Sequence, residues 1–126
     1  MKQLFLLTYL LCSTLFAELS WAKNYDEAFA MANKEQKDVL LILSQEHCQA
    51  CWYMKNMVLD DELIIEKIEA HYVVIELDIN KDDIHELAYS GTPTLYFLSS
   101  DKEVIRRLDG VYNIKELTSV LSKLED

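Results

Sequence analysis

Cys48 and Cys51 stand two residues apart, shortly after the apolar run Val39–Leu43 and at the head of the helically spaced stretch Cys51–Asp61. Three chemistries use such a pair: a metal clamp, a structural staple and a redox couple. As a staple it is poor, because a disulfide across this gap closes a tiny loop and removes little entropy from the unfolded chain. A closed zinc site needs four ligands. His47, His71 and His85 would have to supply the rest, yet His71 precedes a strand pattern, His85 falls inside a helical one, and neither has ligand spacing with the other. Both read as ordinary, partly exposed histidines, and no metal site is assigned. The redox reading fits the context, since a Cys-x-x-Cys after a buried strand and opening a helix is specific. At a helix start, unpaired backbone N–H groups and the positive end of the dipole favour the thiolate of Cys48, which is the nucleophilic form. Cys51, one turn later, is placed to attack a mixed disulfide and release the partner. His47 adjoins Cys48; protonated, it would stabilise the thiolate, and otherwise it is a solvent-facing side chain.

The 126 residues are 51% hydrophobic with two glycines and one proline, a composition that describes one compact domain. Residues 1–22 read as a signal peptide: Lys2, an apolar stretch to about Ala17, then small residues at Ser20 and Ala22. Cleavage is expected after Ala22, with Ala17 as a second candidate, leaving residues 23–126 as the domain. The apolar stretch is shorter than the ~20 residues of a spanning helix. Export implies a periplasmic or secreted protein in an oxidising compartment, with Cys12 lost and the Cys48–Cys51 pair retained. Removing the leader takes away one lysine and one glutamate, so the formal charge stays at −10. Such a chain repels nucleic acid and anionic lipid. No long exposed apolar strand announces a dimer, so a monomer is expected.

Asn24 caps a helical pattern carrying Tyr25, Ala28, Phe29 and Ala32. Val39–Leu43 is a buried strand. Met54, Met57 and Val58 share one side of the helix that follows the cysteines, and a second helical piece begins after a bend near Asp60. The apolar stretch Tyr72–Ile79 is a strand. Lys81–Gly91 reads as a short helix with Ile84, Leu87 and Ala88 inward. Residues 94–110 form a hairpin about the turn Ser99–Lys102. A last helix opens with Asn113 and Glu116 at capping-box spacing and lines its inner face with Ile114, Leu117, Leu121 and Leu124. Strand–helix–strand with an apolar second strand implies parallel pairing and a right-handed crossover, and the hairpin adds antiparallel strands. The expected fold is α/β: a mixed four-stranded sheet flanked by helices, with an extra N-terminal helix.

The sequence HCQACWYM after VLLILSQE, followed by YSGTPTLYFL, resembles the thioredoxin-like superfamily over about residues 24–124. It is most similar to exported bacterial thioredoxin-related proteins of the SoxW-like kind. The resemblance implies that Pro93 is a cis-proline facing the cysteines and that the Thr92 backbone pairs with an extended partner segment. Against the family pattern, His47 stands where Trp is common, Gln49 and Ala50 replace Gly-Pro, and Trp52 follows the second cysteine. Ile42 occupies the place of a buried Asp that relays protons. Glu76, where the family often has Lys, is a candidate substitute, or else a strand-end carboxylate reaching water.

The leading expectation is a periplasmic thiol–disulfide oxidoreductase, probing substrate proteins with disulfides or thiols and leaning toward reduction. It needs no cofactor beyond the Cys48–Cys51 disulfide, and a membrane redox partner would recharge it. The alternative is a Cu(I) or haem-pathway thiol-binding chaperone, since soft thiolates suit Cu(I).

Overall fold

The computed structural model describes residues 18–126. Helix α1 (Tyr25–Glu35) starts where the Asn24 side chain accepts the Glu27 amide at 2.8 Å, and it ends at Gln36 in a left-handed conformation. Strand β1 (Asp38–Ser44) is buried along almost its whole length. Helix α2 (Gln49–Tyr53) runs into a π-helical turn, Met54–Val58, closed by the Leu59 amide on the Met54 carbonyl at 2.8 Å. Asp61 caps α3 (Glu62–His71) by accepting the Leu63 and Ile64 amides. Then come β2 (Tyr72–Asp78), β3 (Thr94–Leu98), β4 (Val104–Asp109) and α4 (Ile114–Leu124), the last capped by Asn113.

The sheet order is β2-β1-β3-β4. β1 pairs parallel with β2 and antiparallel with β3, and β3 pairs antiparallel with β4. Alternation along the strands splits the core into two clusters. Leu40, Ile42, Val74 and Phe97 face the π-turn, α3 and α4, meeting Met54, Val58, Ile64, Ile68, Leu117 and Leu121. Leu41, Leu43, Ile75, Tyr96 and Leu98 face α1, meeting Ala28, Phe29 and Ala32. Each fully buried Leu or Ile contributes roughly 1.5–3 kcal/mol. This is the expected mixed sheet with helices on both faces. Because β1 and β2 are parallel, the segments leaving their C-terminal ends emerge at one end of the sheet, where the cysteines lie.

Three local expectations are corrected. Residues 79–93 form a loop, not a helix over Lys81–Gly91. Carboxylates capture amides in the loop and at its start: Asp78 accepts from Asn80, Asp83 from His85, and Asp82 from Asp78 at the end of β2. Such local bonds compete with helical ones, and His85 and Glu86 both take positive φ. Ile84 and Leu87 still pack on the α1-side cluster, but Ala88 is exposed. Met57 is 52% exposed rather than inward, because the wider π-turn rotates it away from Met54. Ile114 is likewise exposed at the start of α4.

A short segment ahead of α1 also packs on the sheet. Leu19 and Ala22 are buried, Trp21 forms a parallel bridge with Val74, and the Ala22 amide donates to the Val74 carbonyl at 2.8 Å. The Ser20 amide donates to Glu69. Residues 19–22 therefore extend the β2 edge, four residues before the expected domain start at Lys23. The small side chains that suit a peptidase also suit a strand against a sheet edge. The rest of the expected leader, residues 1–17, lies outside the described residues. Among the described residues no helix is long and apolar enough to cross a membrane.

Candidate active site

Beyond Ser44 the chain turns through Gln45, Glu46 and His47. His47 sits at φ 58°, a left-handed conformation that non-glycine residues adopt uncommonly. This reversal sets Cys48 at the N-cap of α2 in an extended conformation, where its sulfur accepts the Cys51 amide at 3.2 Å. The two residues are joined by a disulfide, with Cα atoms 5.2 Å apart, inside the usual range for such a bridge. Their surroundings differ: Cys48 is half-buried, whereas Cys51 is only 9% exposed.

Across from Cys48 lies the end of the 79–93 loop. The Thr92–Pro93 peptide bond is cis. Pro93 is buried, and its carbonyl accepts the Gly110 amide at 2.9 Å. The Thr94 hydroxyl donates to the Gly91 carbonyl at 2.8 Å, fixing the loop where it enters β3. Thr92 presents two groups to sulfur: its hydroxyl, 3.4 Å from Cys48 Sγ, and its carbonyl oxygen at 3.6 Å. The carbonyl accepts a bond from Cys48 when that residue is a thiol. Gln45 completes the arrangement by donating its side-chain amide to the Thr92 hydroxyl oxygen at 2.9 Å.

An open groove of about 800 Å³ runs alongside, lined by Ser44, Gln45, Cys48, Cys51, Lys55 and Glu76 among others. Glu76 stands opposite Ile42 in the β1–β2 register and so shares its face of the sheet. Its carboxylate pairs with Lys55 Nζ at 3.1 Å. Lys55 follows Cys51 by four residues on one helical face, and its ammonium lies 5.3 Å from the centroid of the Trp21 ring. Glu76 is half-buried and paired, neither a carboxyl isolated in an apolar pocket nor one free in water.

The structure thus brings Cys48, Cys51, Thr92, Pro93 and Glu76 to one end of the sheet. His47 adjoins them in sequence with an exposed side chain. His71 lies at the far end of α3 beside Glu125, and His85 stacks on Tyr25 with centroids 3.6 Å apart. Among the described residues no three His, Cys, Asp or Glu side chains are grouped to hold a metal. Gln45 and Lys55 escaped the sequence reading. The four-residue step from Cys51 pointed to Lys55; Gln45 acts on a residue 47 positions away and left no local signal.

Residues 25–125 match the family model of the thioredoxin-like domain. A thioredoxin from Thermus thermophilus is 30% identical, with a TM-score of 0.74 over 84% of this chain and 86% of that one. A putative disulphide isomerase from Bacteroides thetaiotaomicron is 27% identical, with a TM-score of 0.70 over 86% and 89%. The C-terminal domain of DsbD from Neisseria meningitidis, 19% identical with a TM-score of 0.65 over 78% and 91%, shares the fold. No curated protein matches the chain. With this fold, this match and two bonded cysteines at the head of α2, the chain belongs to the thioredoxin-like domain family and is a thiol–disulfide oxidoreductase.

Proposed function

We propose that the chain reduces disulfides in exported proteins, with Cys48 as nucleophile and Cys51 as resolving thiol. The observation that carries this is the asymmetry of the pair: Cys48 Sγ faces the groove and the Thr92 hydroxyl, while Cys51 is sheltered behind it. In the reduced protein the Cys48 thiolate attacks one sulfur of a substrate disulfide. A bond to Cys48 forms, the substrate S–S bond breaks, and one substrate thiolate leaves. The Cys51 thiolate then attacks the Cys48 sulfur, which closes the Cys48–Cys51 disulfide and releases the second substrate thiolate. Two electrons have passed from the protein to the substrate. Glu76, on the groove that Cys51 lines, accepts the Cys51 proton for the second attack, with Lys55 balancing its charge. The Thr92 backbone beside Pro93 receives an extended substrate segment.

The protein works as a monomer of the exported SoxW-like kind, and a membrane electron-transfer protein returns the two electrons. Because residues 19–22 are part of the packed edge, cleavage falls after Ala17 rather than Ala22. N-terminal sequencing of the exported protein should read from Glu18; a start at Lys23 would refute this boundary.

The exchange mechanism is tested by insulin reduction with dithiothreitol. Wild type should accelerate precipitation and Cys48→Ser should not. Cys51→Ser should accumulate a mixed disulfide through Cys48, and Glu76→Gln should do so partially. Equal behaviour of wild type and both cysteine variants would sink the proposal. The reduction potential then fixes direction, within a span of about 150 mV for this superfamily.

A further inference from the structure

We infer that Gln45 is a positioning residue that aims the Thr92 hydroxyl proton at the Cys48 sulfur, so favouring the thiolate. The inference deepens the exchange reading above and rests on it. A threonine hydroxyl has one proton to donate and two lone pairs to accept with. The Gln45 side-chain amide donates to that oxygen at 2.9 Å, so it occupies a lone pair and leaves the proton to go elsewhere. The acceptor within reach is Cys48 Sγ, at 3.4 Å. In the disulfide this sulfur is a weak acceptor. On reduction it carries a full charge, and the same contact becomes a charge-assisted hydrogen bond of roughly twice the strength.

The bond therefore stabilises the reduced, ionised state more than the oxidised one. It should raise the share of thiolate and make the reduction potential less negative. Gln45 makes no hydrogen bond to either sulfur, so its influence is expected to run through the Thr92 hydroxyl. Gln45 is exposed, and water competes for the hydroxyl when the amide is removed. Its effect is accordingly smaller than that of deleting the hydroxyl itself.

The test is the pH dependence of Cys48 alkylation by iodoacetamide, read on the Cys48 peptide by mass, in a Cys51→Ser background so that one thiol titrates. Thr92→Val should raise the apparent pKa of Cys48 by about one unit, the scale of one charge-assisted bond. Thr92→Ser, which keeps a hydroxyl, should restore most of it. Gln45→Leu should raise the pKa by about half as much. Gln45→Glu should raise it further, because a carboxylate takes the hydroxyl proton for itself. In the Thr92→Val background, Gln45→Leu should have no effect. A Gln45→Leu shift of the same size with or without the hydroxyl, or no shift in either, would overturn the inference. Insulin reduction by the Cys48→Ser and Cys51→Ser variants reports separately on the exchange mechanism, so the two can fail independently.

Discussion

At the starts of β1 and β2, Asp38 stands opposite Tyr72 in register, with His71, Lys67 and Glu125 gathered close by. About 20 Å away along the strands, their far ends deliver Cys48 and Cys51, with Thr92, Gln45, Lys55 and Glu76. Both ends are polar, and both carry paired charges. Yet the strongest effect of burial on a titrating group is at the starting end. There desolvation, reinforced by the Asp38 and Glu125 carboxylates, pushes the Tyr72 phenol up to about 12. Burial also raises the Asp38 carboxyl, with the nearby His71 pulling the other way. Among the described residues no cysteine lies at that end. A displaced pKa is thus a weak guide to function in this molecule; the site is marked by a sulfur within reach of a hydroxyl, a carbonyl and a second sulfur.

Substitutions at the two ends should therefore separate activity from stability. Cys48→Ser should cost about a thousandfold in insulin reduction, as loss of a nucleophile does, while leaving the melting temperature near that of the reduced wild type. Leu19→Ala, on the flanking edge segment, should do the reverse. It should lower unfolding stability by about 2–3 kcal/mol in urea, with turnover per folded molecule unchanged; a neutral result would mean that residues 19–22 are not part of the folded unit. The smallest effect should come from Tyr72→Phe, near neutral at pH 7. The unfolded phenol ionises near pH 10 and the folded one near 12. Tyr72 therefore favours the fold below pH 10 relative to alkaline conditions, and that advantage is lost as pH rises from 10 to 12. At pH 11 the wild type should lose about 1 kcal/mol more than Tyr72→Phe; parallel alkaline stability curves would show that burial does not hold this phenol protonated.

The strands and the cysteine turn were legible because their signals are local. Val39–Leu43 and Tyr72–Ile79 are nearly unbroken apolar runs, and Asn24 and Asn113 announced their helices by side chains that do cap them. Where reading failed, a second force overrode the local one. Ile84 and Leu87 have the three-residue step of a buried helical face, and both are half-buried. Asp82 and Asp83 bind backbone amides instead, so the segment turns without coiling. Met57 was misplaced because nothing in its neighbours' identities marks a π-turn. Glu76 and Ile42 were recognised as departures in separate strands, but only the register places them side by side. Lys55, which answers the Glu76 charge, became visible at the same point.

Trp21 links the edge segment to the groove. Its backbone extends the β2 edge, and its ring lies beneath the ammonium of Lys55, whose other partner is the Glu76 carboxylate on the groove wall. The edge segment thus supplies the aromatic support of this cation. A change at Trp21 would leave every residue of the disulfide site in place and still alter the charge balance beside Glu76.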